Sequence, residues 1–140
     1  MKKARQEQAY EVVPLDAVKP HPSNPRRGNI EAIKASMDAV GVYGAIVVQR
    51  STGFILAGNH RWKAAQAAGH ETIPVIFVDC DDERAKKIML ADNRIPDTSS
   101  YDDQALLDLL ESLDGDLEGT GYDDFDVDDL LRQPKYGPSA

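Results

Sequence analysis

A single glycine separates a strand pattern from a helix pattern, and this junction constrains the fold more than any other feature of the sequence. The runs 45–49 and 54–57 are short and apolar, and Ser51-Thr52-Gly53 lies between them. Such runs joined by a turn sequence predict a β-hairpin. Gly58 follows the second run directly, and an alanine-rich helix is predicted from about His60 to Ala68. The expected unit is therefore a hairpin, a sharp corner and a helix.

Other apolar patterns surround this unit. A short strand is predicted at 11–15, followed by one helical turn, and Asn29 is a plausible N-cap for a helix that Gly41 ends. That helix carries an apolar stripe, formed by Ile30, Ile33, Met37 and Val40. A strand is predicted at 73–78, where Pro74 indicates an edge or strand-start position. Further helices are predicted at about 82–92, 102–113 and 126–131.

Charge divides the chain into two parts with different properties. Residues 1–100 hold 14 Lys and Arg against 12 Asp and Glu, whereas residues 101–140 hold 2 against 12. The front, at net +2, can approach an anion, and the back, at net −10, repels nucleic acid unless it folds away from it. The acidic part is interpreted as a helical cap packed by its leucines, or as a segment that docks a partner, mimics DNA or covers the chain's own basic site.

Composition excludes several classes. Cys80 is the only cysteine among 140 residues, which rules out an internal disulfide framework and a multi-cysteine metal site. His21, His60 and His70 have no metal-binding spacing. No stretch approaches the roughly 18 apolar residues of a membrane span, and the basic N-terminus lacks the apolar run of a secretory signal. A cytoplasmic protein with no membrane contact is expected.

The stretch Gly58-Asn59-His60-Arg61, called the phosphate corner below, is the strongest candidate site. Gly58 allows a sharp turn and a close ligand approach. The following helix start presents free N–H groups and a partial positive charge. Arg61 offers a fork suited to phosphate oxygens, and His60 can donate a hydrogen bond or move a proton. The alternative is a tight turn with a solvated arginine and a packed histidine.

Three further candidates are open to similar alternatives. Asn24-Pro25-Arg26-Arg27 ends a proline-rich loop and could clamp phosphate, or it is a surface loop with solvated charges. Asp92-Asn93-Arg94 could share a hydrated magnesium ion with nucleotide phosphates, or it is a helix C-cap in which Asn93 is left-handed. Glu31 is a candidate general base, or it compensates the helix dipole.

Several stretches, in this order, resemble the N-terminal domain of ParB-like proteins in the ParB/sulfiredoxin superfamily. They are Asn24-Pro25-Arg26, then 37–48, then 55–65, followed by Gly69 and Ile73-Pro74-Val75, and the resemblance covers about residues 11–95. The continuation, from 89–94 through the acidic helix to Gly119-Thr120-Gly121-Tyr122, is similar to the phage and mobile-element branch. Members of that branch are often labelled ParB-like nucleases and often accompany DNA methyltransferases.

The resemblance implies a small α/β (α+β) domain at 11–96, with a mixed sheet and flanking helices. Flexible ends at 1–10 and 134–140 and an acidic helical extension at 97–133 are expected around it. The resemblance also implies binding of ATP or CTP with Mg²⁺, a role in DNA metabolism with DNA as a partner, and NTPase, phosphoryl-transfer or nuclease activity. A further implied partner is a DNA-modification protein or another protein of a phage or mobile element. The resemblance is also compatible with oligomerisation of this chain.

The resemblance also implies roles for individual residues. The phosphate-binding set comprises Gly58, Asn59, His60, Arg61, Asn24, Arg26, Arg27 and Arg94. The metal set comprises Asp92 and Asn93. The catalytic candidates are His60 and Arg61, together with Glu31, which is a candidate because of its place in the first turn of its helix and not because of the resemblance.

The chain also departs from the family pattern. Segregation proteins usually have Glu-Arg-Arg where this chain has Asn59-His60-Arg61, so their hydrolytic carboxylate is missing at Asn59. They usually have Gln-Pro where this chain has Gly44-Ala45, so this chain lacks the residues that the family pattern associates with cytosine recognition. Sulfiredoxins carry a catalytic cysteine at the position of Asn59, so reduction of a sulfinic acid is not expected.

Overall fold

The computed structural model describes residues 8–132, and the predicted flexible tail 134–140 lies outside them. The strands are β1 (Gln8–Pro14), β2 (Lys19–Pro20), β3 (Ile46–Gln49), β4 (Phe54–Ala57) and β5 (Thr72–Val78). The α-helices are α1 (Ile30–Val40), α2 (Asn59–Ala67), α3 (Asp82–Arg94), α4 (Asp103–Glu111) and α5 (Asp124–Arg132). Short 3₁₀ turns lie at Leu15–Ala17 and Pro96–Thr98.

The five strands form one mixed sheet in the order β1-β5-β3-β4-β2. The pairs β1–β5 and β3–β4 are antiparallel, and the pairs β3–β5 and β2–β4 are parallel. The predicted hairpin is therefore confirmed, as is the α/β class with flanking helices. Strand β1 begins at Gln8, inside the segment predicted to be flexible.

Pro74 is the third residue of β5, an internal strand, so neither the edge position nor the strand-start position indicated by the sequence is observed. Strand β5 lies between β1 and β3, so it is not an edge strand. Strand β3 runs alongside β5 only from Val75 onward, so Pro74 precedes that pairing. On the other side Pro74 faces Val12. Three positions further along this antiparallel pairing, Leu15 N–H donates to Glu71 O at 3.1 Å. A missing N–H is tolerated there because no β3 partner is opposite it.

The main core lies between the sheet and helices α1 and α2, which pack on each other. It is built from apolar side chains of the strands and both helices, including Val13, Met37, Ile46, Val48, Ile55, Ala64, Ala65, Ile73 and Val75. Trp62 packs against this core, and its indole N–H donates to Leu15 O at 2.8 Å. Ile30 and Ile33 also pack there, but Val40 is 58% exposed, so the predicted stripe ends one turn early.

Helix α3 packs against β4, and its Ala85 and Met89 are buried. Ile55 belongs to the main core, and Leu56 next to it, which points to the other face of the strand, is buried as well. The acidic helices α4 and α5 pack on each other. Within residues 8–132, no helix has the length and apolar character that crossing a bilayer requires.

Candidate functional site

A cavity of about 280 Å³ opens beside the N-terminal end of α2. Its wall combines three segments that are distant in sequence: the loop before α1, the end of β4 with the phosphate corner, and the end of α3. The residues that line it are Asn24, Arg26, Gly28, Asn29, Ile33, Leu56, Ala57, Gly58, Asn59, His60, Arg61, Asp92 and Asn93. The fold thus brings most of the predicted phosphate-binding and metal residues to one place.

Gly58 forms the corner in a backbone conformation that favours glycine. Its φ is +90° and its ψ is 21°, in the left-handed region. A Cβ at this position would also lie 2.6 Å from Ile46 Cγ2. Gly58 is the N-cap of α2 and has no side chain to accept a hydrogen bond from the first turn. The N–H groups of that turn therefore start the helix without a side-chain cap, as an anion-binding helix start requires.

Arg26 is held against the end of α3. Its Nε donates to Asn93 Oδ1 at 2.9 Å and its Nη2 donates to Asn93 O at 2.6 Å. Asn24 completes the arrangement, because its Oδ1 accepts from Arg26 N–H at 3.0 Å and from Asn93 Nδ2 at 3.2 Å. Asp97 adds a longer ion pair, with its Oδ1 3.4 Å from Arg26 Nη2. These contacts of the guanidinium use Nε and Nη2, which leaves Nη1 for a ligand.

Asn93 therefore has a different role from a helix cap. The helix was predicted to end at about Asp92, with Asn93 left-handed, but α3 continues through Arg94 and its C-cap Ile95 is right-handed, with φ −61°. The left-handed cap, one of the two alternatives for Asn93, is therefore wrong. Asn93 lies inside α3 and contacts Arg26 and Asn24, which are 67 and 69 positions away in sequence. Its carboxamide faces the loop instead of capping its own helix.

His60 ties the same loop to α2. Gly28 N–H donates to His60 Nε2 at 3.0 Å, so Nε2 is unprotonated and the proton of the neutral ring is on Nδ1. Burial lowers the pKa of His60 below its ordinary 6.5, and the positive charges of Lys63 and Arg26 lower it further. The imidazole is therefore neutral at neutral pH and can donate through Nδ1. A proton-transfer role for His60 stays a prediction.

Arg61 lies between this cavity and a second one of about 200 Å³, whose wall includes Tyr43 and the 119–121 loop of the acidic part. Its Nη1 donates to Tyr43 O at 3.1 Å, and its guanidinium lies 5.2 Å from the centroid of the Tyr43 ring. Asn59 is 7% exposed, and among residues 8–132 its Oδ1 accepts no hydrogen bond. A buried amide oxygen without a protein donor is unusual, and a water molecule or a ligand is the partner that it calls for.

Three predicted residues lie away from the cavity wall. Arg27, Glu31 and Arg94 are exposed and do not line it, so their proposed roles stay predictions. Sequence reasoning missed Asp97 and Tyr43, which contact the two arginines. No local pattern could have found them, because each contact joins segments that only the tertiary structure brings together.

Comparisons of the sequence with known proteins identify the family of this chain. The model of the ParB N-terminal domain matches residues 1–94. The chain is 30% identical over 112 residues to a probable chromosome 2-partitioning protein ParB from Deinococcus radiodurans, covering 76% of this chain and 36% of that protein. It is 35% identical over 86 residues to a probable chromosome-partitioning protein ParB from Coxiella burnetii, covering 56% and 29%. The chain spans about a third of the length of these curated relatives.

Solved structures share the fold. A C-terminally truncated chromosome-partitioning protein ParB from Caulobacter crescentus, complexed with CTP-gamma-S, superposes with a TM-score of 0.70 at 24% identity, covering 91% of this chain and 81% of that one. A Pnob8-like ParB-N domain superposes with a TM-score of 0.58 at 14% identity, covering 74% and 43%. The family match over residues 1–94 and the shared fold lead to one conclusion: this chain belongs to the ParB N-terminal domain family.

Proposed function

We propose that this chain binds a nucleoside triphosphate in the cavity beside α2, with the phosphates against the helix start at Gly58 and between Arg26 and Arg61. The observation that carries the proposal is the convergence of an uncapped helix start and two arginines on one cavity. Oriented N–H groups and guanidinium forks are the groups that proteins use to hold phosphate oxygens.

CTP is the first nucleotide to test, because the Caulobacter crescentus ParB that shares this fold was solved with CTP-gamma-S. ATP is the second, since the residues of the corner do not distinguish bases. The cavity volume of about 280 Å³ lies just below the range of ordinary small-molecule sites. Its open side leaves room for part of the nucleotide to extend beyond the wall.

One residue at the end of α3 fits a magnesium ion that arrives with the nucleotide, since Asp92 lines the cavity with a carboxylate. Asn93 also lines the cavity, but its Oδ1 already accepts from Arg26 Nε, so its metal role stays a prediction. Within residues 8–132, no group of three His, Cys, Asp or Glu residues is arranged to hold a metal. The phosphates and water would therefore supply the other ligands, as is usual for Mg²⁺ in nucleotide sites. The ion would offset phosphate charge.

The binding test is calorimetric titration of the full chain with CTP and with ATP, each with magnesium. Parent binding that is lost in Arg61→Ala and weakened in Arg26→Lys supports the proposal, because lysine cannot reproduce the paired contacts of Arg26 with Asn93. Arg50→Lys is the matched control, since Arg50 pairs with Asp79 away from the cavity. Failure of the parent to bind either nucleotide would contradict the proposal.

NTPase, phosphoryl-transfer and nuclease activity belong to the same proposal as consequences of a bound Mg²⁺–nucleotide. They are tested by following phosphate release, label transfer and plasmid nicking with magnesium, in the parent and in Asp92→Ala. Activity that disappears in Asp92→Ala assigns the reaction to this cavity. Activity that persists in the variant would contradict a metal role for Asp92.

A second candidate function is a DNA- or partner-binding module whose acidic extension lies over its own basic site. The specific observation is that Gly119 packs on α1, where a Cβ would lie 2.7 Å from Ala39 Cβ. The loop that contains it also lines the cavity shared with Arg61. If the extension restrains DNA binding, Gly119→Ala should raise DNA affinity relative to Gly121→Ala. Equal affinities would contradict this candidate.

A further inference from the structure

The ion pair between Arg26 and Asp97 has a different geometry from the other contacts of Arg26. Asn93 holds the guanidinium with two bonds of 2.9 and 2.6 Å, whereas both oxygens of Asp97 lie 3.4–3.5 Å from Nη2. The side chains of Arg26 and Asp97 are 39% and 59% exposed. Since Asn93 and Asn24 already fix the loop and the arginine, Asp97 is not needed to position Arg26. What Asp97 adds is a negative charge.

The negative charge of Asp97 changes the balance of positive and negative charge around the cavity. Arg26 and Arg61 are the two cationic side chains on the wall, and Asp92 is the carboxylate on it. His60 lies on the wall as a neutral ring because its pKa is lowered. With Asp97 on Arg26, two positive charges face two negative ones. The helix start of α2 and Lys63, which acts on His60 from outside the wall, add positive contributions.

We propose that Asp97 is a specificity-determining residue that makes this site favour the magnesium complex of a nucleoside triphosphate over the metal-free polyanion. This inference rests on the proposed nucleotide binding. A metal-free triphosphate carries several negative charges and would be repelled by Asp92 and Asp97, whereas a divalent cation on the phosphates removes two of them. Asp97 thereby acts through Arg26, whose attraction for phosphate it reduces, and through direct repulsion of the unneutralised ligand.

The experiment is calorimetric titration of the full chain with CTP in magnesium and with CTP in EDTA. It compares the parent with Asp97→Asn, which removes the charge and keeps the shape, and with Asp97→Glu, which keeps the charge. The matched control is Asp79→Asn. Asp79 also pairs with an arginine, at 3.1 Å from Arg50 Nε and with a similar exposure of 54%, but it lies away from the cavity.

We expect Asp97→Asn to bind metal-free CTP about three- to five-fold more tightly, the range of a half-exposed charge pair. Binding of the magnesium complex should change less, so the ratio of the two affinities falls. Asp97→Glu and Asp79→Asn should keep the parent's ratio. Because exposed charges are screened, the effect of Asp97→Asn should shrink when salt is raised.

The outcomes distinguish the role of Asp97 from nucleotide binding itself. A parent that binds CTP, with the same affinity ratio in Asp97→Asn and Asp79→Asn, overturns the role of Asp97 and leaves nucleotide binding intact. Equal weakening of both ligand forms in Asp97→Asn also overturns it, because that result assigns Asp97 a positioning role. A folded parent that binds neither form overturns both proposals, and thermal unfolding of each variant reports whether it is folded.

Discussion

The side chain of His60 and the backbone of Gly28 meet across 32 positions of sequence, where Gly28 N–H donates to His60 Nε2 at 3.0 Å. A side chain at position 28 would overlap the imidazole, so glycine permits this close contact. The bond joins the loop that carries Arg26 to the helix that carries Arg61. It requires an unprotonated Nε2, and this makes the arrangement of the cavity sensitive to pH.

The pH dependence of stability follows from this bond. The pKa of His60 is lowered from 6.5 in the folded protein, first by burial and then by Lys63 and Arg26. The unfolded chain therefore binds the proton more readily, so the contribution of His60 is present above pH 6.5 and is lost as pH falls through the lowered value. Denaturant unfolding across this range should show a smaller loss in His60→Gln, whose amide oxygen can still accept from Gly28.

The control for this experiment is His70→Gln, which removes a histidine outside the cavity wall. It should keep the full acid-induced loss of unfolding free energy. An identical pH profile for the parent and His60→Gln would show that the contact with Gly28 does not couple to protonation.

Gly58→Ala should destabilise the protein more than Gly69→Ala. Both glycines have a positive φ, at +90° and +83°, so each alanine pays a left-handed backbone strain of roughly 1–2 kcal/mol. Only at position 58 does the new Cβ collide, at 2.6 Å from Ile46 Cγ2, while position 69 has open space. Overpacking adds about 1–3 kcal/mol. Chemical denaturation measures the difference, and equal losses would refute the close approach to Ile46.

Gly119→Ala should loosen the acidic extension from the rest of the molecule. A Cβ there would lie 2.7 Å from Ala39 Cβ, whereas a Cβ at Gly121, which has a similar φ of +85°, meets nothing within 4 Å. Hydrogen exchange in α4 and α5 should therefore accelerate in Gly119→Ala and remain close to the parent in Gly121→Ala. Combining Gly119→Ala with Ala39→Gly should restore part of the protection, and a double variant no better than the single one would argue against this contact.

Gln49→Glu should destabilise the fold at neutral pH. Gln49 is 1% exposed, and its Nε2 donates to Cys80 O and to Asp82 Oδ1, both at 3.0 Å. A carboxylate cannot donate to either oxygen and would face the charge of Asp82. Burying an unpaired charge costs several kcal/mol, of the order of 3–5 kcal/mol.

Acid should relieve part of the Gln49→Glu loss, because a protonated glutamate can donate again. The control is Thr52→Val, which introduces no charge. It removes the bond from Thr52 Oγ1 to Gln49 Oε1 at 2.7 Å and the bond from Phe54 N–H to Thr52 Oγ1 at 3.1 Å, and should cost about 2 kcal/mol. Equal losses in the two variants at neutral pH would contradict the charge argument.

The sequence by itself determined the elements whose signals are local. The hairpin at 46–57, the N-cap at Asn29 and the helix stop at Gly41 follow from residues that contact their own neighbours along the chain. Gly58 could be placed at a sharp corner for the same reason, because a strand and a helix meet there without any linker. These features depend on backbone conformation and short-range hydrogen bonds, which a sequence pattern specifies directly.

Only the tertiary structure decided which side chains share the cavity. Arg26 and Asn93 are 67 positions apart and meet at the cavity, whereas Arg27, Glu31 and Arg94 lie off its wall. Pro74 is a second example, because the strand order placed it in an internal strand and the local sequence pattern does not specify that order. The physical reason is that a side chain's partner depends on how whole elements pack, and local patterns carry no record of elements far along the chain.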